Sequence, residues 1–94
     1  MEEKVVKILK ALSHPERLKI IKMVAKQPTC VCEMNSDFSQ SNISQHLKIL
    51  RDAEIVKYNK DGNKVIYELK EPKIKDLIDI LESMIGEENV WLAG

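Results

Sequence analysis

Two cysteines separated by a single residue, Cys30 and Cys32, are the side chains of this chain best suited to binding chemistry. Thiolates prefer soft ions such as As(III), Sb(III), Cu(I) and Cd(II), and they also bind Zn(II) less selectively. Thiols at a helix N-terminus have a lowered pKa, which favours the thiolate. In a regular helix two such side chains point roughly 200° apart, so they share one face only in an extended segment. The spacing therefore predicts a soft-ion site whose occupation unwinds the start of a helix.

Other interpretations of this thiol pair stay open. Free cysteine is among the most buried residue types, so both side chains could simply pack at the start of a helix. Thiol oxidation is a third possibility. Because a bridge between residues i and i+2 would be strained, we expect both thiols to be reduced, as is usual in the cytosol.

A run of polar side chains without any acidic residue lies between Asp37 and Asp52. Three apolar residues within it, Ile43, Leu47 and Leu50, recur at the spacing of one helical stripe. The opposite face carries short or flexible hydrogen-bonding groups, and Gln or Asn can pair bidentately with adenine. The pattern predicts the recognition helix of a helix-turn-helix that ends near Ala53, although a solvated amphipathic helix would share it. The residues predicted to contact DNA here are Ser39, Gln40, Ser41, Asn42, Ser44, Gln45, His46, Lys48 and Arg51.

A β-hairpin is predicted after this helix. The stretches 55–59 and 64–69 are rich in β-branched and aromatic residues, and Val65, Tyr67 and Leu69 alternate as in a strand. Residues 60–63 join them and contain Asp-Gly, a strong hairpin signal. Such a wing would present Lys60, Asn63 and Lys64 at its tip for contact with phosphate or the minor groove.

Three helices are predicted before the recognition helix, over Glu2–Leu12, from Pro15 to about Lys26, and from Cys30 to about Ser36. Ser13 and Glu16 match a capping box for the second helix, with Pro15 tolerated in its first turn. Thr29 is a plausible N-cap for the third, and the turn before the recognition helix is expected at residues 37–39. His14 lies within the capping sequence, so we expect a structural role for it.

The last predicted helix, Pro72 to Ile85, carries an apolar stripe that one small domain cannot easily cover together with the stripe of the first helix. We therefore expect the two helices to form a dimer interface, although they could also pack on each other in a monomer. Gly86 is expected to end the helix. The predicted interface residues are Val5, Ile8, Leu9, Leu77, Ile78, Leu81 and Ile85.

The net charge of the chain is zero, with 15 basic and 15 acidic residues, but the charge is unevenly distributed. The first 26 residues carry seven bases against three acids, whereas the last 19 carry five acids and no base. This distribution suits DNA binding. No apolar run is long enough to span a membrane and no signal peptide is evident, so we expect a cytoplasmic protein without a membrane partner. No Gly-rich oxyanion loop or acid accompanies the Cys and His residues, so we expect no enzymatic activity.

Nearly the whole chain resembles the ArsR/SmtB family of winged-helix transcriptional repressors. The likeness is carried by residues 12–18 (LSHPERL), 30–34 (CVCEM), 39–51 (SQSNISQHLKILR) and the hairpin that follows. The resemblance implies a single mainly α domain over 1–94, with helices, then a β-wing, then a C-terminal dimerisation helix. It also implies a homodimer that binds a two-fold symmetric double-stranded operator and loses affinity when an inducer binds. One departure is Ala53-Glu54-Ile55, where many members place Gly before the first wing strand.

The resemblance also narrows the choice of inducer. Arsenic-responsive members use a thiolate pair on the third helix plus a third Cys, whose position is occupied here by Asn35. The zinc site of other members would correspond to Glu71, Lys73, Met84 and Glu87, and a Lys ammonium cannot ligate zinc. We therefore expect As(III) or Sb(III) at Cys30 and Cys32, with water, an exogenous thiol or a partner side chain completing the shell. Cu(I), Cd(II), Zn(II), thiol oxidation and an effector-independent DNA-binding protein remain alternatives.

Overall fold

The computed structural model describes residues 1–37 and 42–86, apart from the side chains of residues 35–37. Five helices and a small antiparallel sheet of strand order β1-β3-β2 make up this part of the chain. The fold is a winged helix-turn-helix, as predicted. In chain order the elements are α1 (Glu2–Leu12), α2 (Pro15–Lys26), β1 (Thr29–Cys30), α3 (Val31–Asp37), α4 (Ile43–Asp52), β2 (Val56–Asp61), β3 (Lys64–Leu69) and α5 (Lys73–Ser83).

The core is built from the apolar stripes of the helices, closed on one side by the wing. Its largest fully buried side chains are Ile20, Ile21, Met34, Leu50 and Ile55. Burying each such side chain contributes roughly 1.5–3 kcal/mol relative to leaving it in water. The stripe predicted for α4 is confirmed, because Ile43, Leu47 and Leu50 are all buried. One face of α4 is thereby fixed against the core and the other is left to solvent.

The start of α2 differs from the prediction in its capping residue. His14, not Ser13, is the N-cap, because its ring Nδ1 accepts a hydrogen bond from the backbone N–H of Glu16 at 3.1 Å. Ser13 instead closes α1, donating its hydroxyl to the carbonyl of Lys10 at 2.8 Å. Only Ser13 and His14 separate the two helices, so Ser13 caps the end of α1 and His14 caps the start of α2. The predicted structural role of His14 is confirmed.

The predicted start of the third helix was wrong by one residue, and a strand precedes it. Thr29 and Cys30 form β1, paired with Tyr67 and Ile66 of β3. Thr29 does not cap α3, since its hydroxyl donates to the carbonyl of Gln27 at 2.9 Å. A proline favours an extended conformation in the residue before it, and Gln27 precedes Pro28 with an extended backbone. The chain is therefore already extended as it approaches the sheet edge.

The wing is a tight hairpin in which β2 is longer than predicted. Lys60 and Asp61 belong to the strand, with Asp61 opposite Lys64 in the register. Gly62 and Asn63 form the two-residue loop, and the φ of 64° at Gly62 matches the first central position of a type II′ turn. Asp-Gly was thus the right signal for a hairpin, but its aspartate lies in the strand.

The C-terminal helix α5 packs against α2, and an ion pair between Lys22 and Glu82 joins the two. It begins one residue later and ends two residues earlier than predicted. Gly86, with φ 66°, terminates the turn that follows α5. Within the described ranges, no helix is long and apolar enough to cross a bilayer. Of the predicted turn 37–39, Asp37 is the last residue of α3, and residues 38 and 39 lie outside the described ranges.

Candidate nucleic-acid interface and thiol pair

The polar face of α4 is exposed where the sequence predicted it. Asn42, Ser44, Gln45 and Lys48 all lie at the surface, opposite the buried stripe. Lys48 makes an ion pair with Asp52 one turn later, Nζ to Oδ2 at 3.0 Å. The hydrogen bond from Lys48 is the main cause that lowers the pKa of the Asp52 carboxyl. Three further predicted contacts, Ser39, Gln40 and Ser41, lie outside the described residues.

Arg51 is directed at the wing. Its NH1 donates to the hydroxyl of Tyr67 at 2.9 Å, and its guanidinium carbon lies 5.4 Å from the ring centre of Tyr58. The side chain is half-buried, and Tyr67 is a core residue. Arg51 therefore links the end of α4 to both wing strands. This structural role was not predicted from the sequence.

His46, like Arg51, is half-buried, whereas the other predicted DNA contacts in the described part of α4 are exposed. Its ring centre lies 4.5 Å from that of His14, and its Nδ1 is 3.2 Å from NH1 of Arg17. Burial lowers the pKa of His46, as do the charges of His14 and Arg17, whereas Glu16 acts in the opposite direction. The recognition helix is thereby tied to the N-terminus of α2.

The predicted tip of the wing is exposed. Lys60, Asn63 and Lys64 all lie at the surface around the two-residue loop. Lys60 opposes Val65 across the hairpin, so the two lysines flank the loop from different strands. Cations and an amide on a thin ribbon are suited to phosphate oxygens or to the floor of a minor groove.

The thiol pair differs from the prediction of two reduced cysteines, because Cys30 and Cys32 are joined by a disulfide. The expectation of strain rested on the sequence separation of the two cysteines, and both were predicted to lie in one helix. Instead Cys30 belongs to β1 and Cys32 to the first turn of α3, with their Cα atoms 5.2 Å apart. This separation lies within the normal range for bridged cysteines. The two sulfurs therefore converge without any unwinding of α3.

Cys30 also occupies the N-cap position of α3. Its Sγ accepts the backbone N–H of Cys32 at 3.2 Å, and the Glu33 carboxylate accepts the N–H of Cys30 at 3.0 Å. This reciprocal arrangement is similar to a capping box, with a sulfur in place of the usual hydroxyl and Cys32 in place of Glu33 as the backbone donor. The sequence contained the signal, since Glu33 stands three residues after Cys30, but the prediction assigned the cap to Thr29.

The donor set of the thiol pair suits a soft ion. Cys30 is 8% exposed and backed by the sheet, while Cys32 lies at the surface, so an ion could approach from the Cys32 side. In the part of the chain that the structure describes, no group of three His, Cys, Asp or Glu residues is arranged to hold a metal. The chain itself thus offers two soft donors in the reduced state, and further ligands would come from elsewhere.

Comparison with known proteins assigns the family. Residues 14–58 match the model described as "Bacterial regulatory protein, arsR family". The uncharacterized HTH-type transcriptional regulator MJ1325 of Methanocaldococcus jannaschii is 35% identical over 87% of this chain and 96% of its own length. The chain belongs to the ArsR family. The arsenical resistance operon repressor of Staphylococcus aureus is 40% identical over 79% of this chain and 73% of that protein.

A solved structure matches nearly the full length of the chain. The crystal structure of Mycobacterium tuberculosis Rv0081 superposes with a TM-score of 0.81, at 29% identity, covering 99% of this chain and 97% of that one. The resemblance drawn from the sequence motifs is confirmed. ArsR proteins are DNA-binding transcriptional regulators, so the expectation that this protein is not an enzyme is confirmed as well.

The faces of α1 and α5 that were predicted to pair in an ArsR dimer are largely open in the single chain. Val5 and Leu9 of α1 are 51% and 55% exposed, and Leu81 and Ile85 at the other end of the chain are 45% and 61% exposed. Ile8 and Leu77 are half-buried against the core. Ile78, also predicted at the interface, lies in the protomer's own core at 6% exposure.

Proposed function

We propose that this protein is a transcriptional repressor that binds operator DNA through α4 and the wing, and leaves it when As(III) or Sb(III) binds to Cys30 and Cys32. The observation that carries the proposal is the convergence of these two cysteines at the junction of β1 and α3. Cys30 and Cys32 supply two sulfur donors, which soft ions prefer to oxygen and nitrogen donors. The arsenical resistance operon repressor of S. aureus is among its relatives.

The position of the thiol pair suggests how a bound ion affects both DNA-contacting elements. Cys30 pairs with Ile66 in the central strand of the wing sheet, and β3 continues into the exposed hairpin. The same Cys30 caps α3, which is the helix that precedes α4 in the chain. An ion bound to this sulfur would form a bond at the same atom that accepts the Cys32 N–H. A change at one residue thus acts on the wing through β1 and on the helix-turn-helix through α3.

As(III) and Sb(III) lead because the thiol pair matches the position used by arsenic-responsive members. Asn35 stands where those members place a third thiolate, so water, a small thiol or a partner side chain would complete the shell. Cu(I) needs only two thiolates and is the nearest competitor, while Cd(II) and Zn(II) are more distant ones. The thiol-protection assay described below distinguishes these ions, because each ion is tested alone.

Thiol oxidation is a second candidate signal, supported by the disulfide itself. Two thiols lose two protons and two electrons as the S–S bond forms; hydrogen peroxide that accepts them yields two molecules of water, and an organic hydroperoxide yields one water and one alcohol. The oxidised pair has no thiolate left for an ion. Metalloid binding and oxidation are therefore mutually exclusive states of one switch, and ion binding must be measured on reduced protein.

On the DNA side, we assign base reading to the exposed face of α4 and phosphate contact to the wing tip. Gln45 carries an amide suited to adenine, and Lys64 carries a point charge suited to phosphate. Substituting Gln45 by Ala should relax sequence preference, whereas Lys64→Ala should weaken binding to all sequences alike. Specific binding unchanged in Gln45→Ala would remove that residue from the reading face.

We further propose that the repressor is a cytoplasmic homodimer formed through α1 and α5. Large apolar side chains are exposed on α1 and on or just after α5, and apolar patches at a surface mark sites of protein–protein contact. A two-fold dimer would present two copies of α4 to two half-sites of the operator.

The test of the ion site is a thiol-protection assay. Reduced protein should offer two reactive thiols per chain to an aromatic disulfide reagent, and one equivalent of As(III) should protect both. The variants Cys30→Ser and Cys32→Ser, each with a single thiol, should be protected far less because chelation is lost. Equal reactivity with and without every ion tested would eliminate the ion site and leave oxidation as the signal.

A further inference from the structure

The cluster of His14, Arg17 and His46, here called the histidine–arginine cluster, joins α1, α2 and α4. Arg17 uses three donors at once, from Nε to the carbonyl of Ala11 at 2.8 Å, from NH2 to the carbonyl of Lys10 at 3.1 Å, and from NH1 towards His46 Nδ1. The two carbonyls belong to the last turn of α1, and that of Lys10 also accepts the backbone N–H and the hydroxyl of Ser13. The guanidinium is therefore held in place before it meets the imidazole.

The chemistry of arginine decides the direction of the third contact. A guanidinium carries only donors and stays protonated, so His46 Nδ1 must accept. An imidazole that accepts at Nδ1 is neutral and carries its proton on Nε2. We propose that Arg17 is a positioning residue that holds His46 as the neutral Nε2–H tautomer, so that the recognition helix offers DNA a hydrogen-bond donor at this position. This inference rests on the proposed DNA contact of α4.

The surroundings of His46 support a neutral ring. Protonation would place a second positive charge against Arg17 and beside His14, in a half-buried site. These groups and burial lower the pKa of His46, and only Glu16 opposes them. Protonation would also turn His46 Nδ1 into a donor that faces the donor NH1 of Arg17. The cluster is thus built for one protonation state at neutral pH.

The acceptor that fits this donor lies on DNA. His46 follows Gln45 and comes one turn after Asn42, both of which are exposed on the face assigned to the groove. Guanine N7 and O6, adenine N7 and thymine O4 are acceptors at the major-groove edge, and phosphate oxygens line its walls. A fixed donor rejects the amino groups of cytosine and adenine. His46 would therefore discriminate between bases only because Arg17 removes the alternative tautomer.

The first arm of the test is nitrogen-15 NMR of the histidine ring in the free protein. Wild type should show an unprotonated Nδ1 and a protonated Nε2 for His46 at neutral pH. Arg17→Gln should give a mixture of tautomers and a higher pKa, and Arg17→Lys, which still donates, should restore part of the pattern. Ser13→Ala is the control, because it removes a hydrogen bond from the same carbonyl of Lys10 without touching His46. A protonated Nδ1 in wild type, or a tautomer ratio that does not change in Arg17→Gln, would overturn the proposal.

The second arm measures DNA binding of His46→Gln and His46→Asn on a duplex selected from a random library and on a scrambled one. A Gln amide reaches about as far as Nε2 and can replace that donor, whereas an Asn amide lies near Nδ1 and cannot. We expect His46→Asn to lose about tenfold or more in affinity and His46→Gln to lose far less. Loss on the selected duplex alone indicates a base edge, and equal loss on both indicates a phosphate.

Wild-type affinity in His46→Asn would refute the donor role while leaving the repressor function intact. If wild type preferred no duplex at all, the proposed function would fail, and with it the DNA part of this inference. The NMR arm would still decide the tautomer, so the two failures are distinguishable.

Discussion

At the scale of single residues, the two arginines of the chain act as links between elements. Arg17 joins α1 to α4, and Arg51 joins α4 to the wing through Tyr67 and Tyr58. A planar fork of donors can hold several acceptors at fixed angles, which a lysine ammonium on a flexible stem does less well. The recognition helix is therefore fixed at both ends by arginine, and the exposed lysines remain for phosphate.

The first prediction separates this structural use of Arg51 from a DNA contact. Arg51→Met should lower the free energy of unfolding by about 1–3 kcal/mol, because a charge-assisted hydrogen bond to buried Tyr67 is lost. The salt dependence of DNA binding should keep its slope, since no phosphate loses a partner. Lys64→Ala is the matched control and should reduce that slope by about 1 without changing urea stability. A reduced salt slope in Arg51→Met would mean that Arg51 contacts the backbone of DNA after all.

The second prediction concerns pH. The pKa of His46 is lowered in the folded state from the ordinary value of 6.5, so the native protein binds fewer protons than the unfolded chain below that pH. The stability it confers is fully present above pH 6.5 and declines as the pH falls towards the native pKa. Urea midpoints measured from pH 7.5 to pH 5 should drop more steeply in wild type than in His46→Gln. Parallel profiles would show that His46 does not titrate in the cluster described above.

At the scale of elements, α4 ends in a Schellman motif that has an unusual residue at its key position. The N–H of Ile55 bonds to the carbonyl of Leu50 at 3.0 Å, and the N–H of Glu54 bonds to that of Arg51 at 2.8 Å. Glu54 has a φ of 60°, a left-handed conformation that normally favours glycine. This is the position at which many ArsR members were expected to carry Gly. The exposed ion pair between Glu54 and Lys70 does not relieve the strain of this backbone conformation.

The third prediction follows from that strain. Glu54→Gly should melt about 4–8 °C above Glu54→Ala, because both variants lose the Lys70 ion pair but only glycine adopts the left-handed conformation without a Cβ clash. Thermal unfolding followed by circular dichroism measures the difference. An alanine variant as stable as the glycine variant would show that the left-handed turn carries no significant strain.

The sequence predicted the long elements well, because apolar spacing determines them. The α4 stripe, the hairpin and the bounds of α1 all follow from periodicity and turn chemistry. The strand β1 did not, since two residues are too few for any alternation and Thr29 depends on a partner 38 positions later, Tyr67. Nor could spacing reveal that Cys30 and Cys32 straddle a strand–helix junction, or that Arg51 and His46 contact side chains of other elements. Those outcomes depend on long-range packing.

At the scale of the whole molecule, the exposed polar groups assigned to DNA and the exposed apolar side chains assigned to the dimer lie on different elements. The wing and α4 carry exposed lysines and amides, whereas exposed Val5, Leu9 and Leu81 lie on α1 and α5, and exposed Ile85 follows α5. Covering these apolar side chains favours association. We expect a dimer whose interface does not include the exposed polar face of α4.

The fourth prediction tests that arrangement. Leu81→Glu should convert the protein to a monomer in sedimentation equilibrium, because it buries a carboxylate in the apolar interface. Operator affinity should fall by about 100-fold or more, since two linked half-site contacts become independent. Lys26→Glu, at an exposed position on α2, is the control and should remain a dimer. A dimeric Leu81→Glu would move the interface away from α5.

The central claim is that Cys30 and Cys32 control operator affinity, and fluorescence anisotropy of reduced protein on a selected operator duplex tests it most directly. Wild type and the Cys30→Ser/Cys32→Ser variant should bind with similar affinity in the absence of ions. As(III) or Sb(III) should then release wild type at micromolar concentrations and leave the variant bound. Release of both proteins alike, or of neither by any of the five ions, would contradict the account.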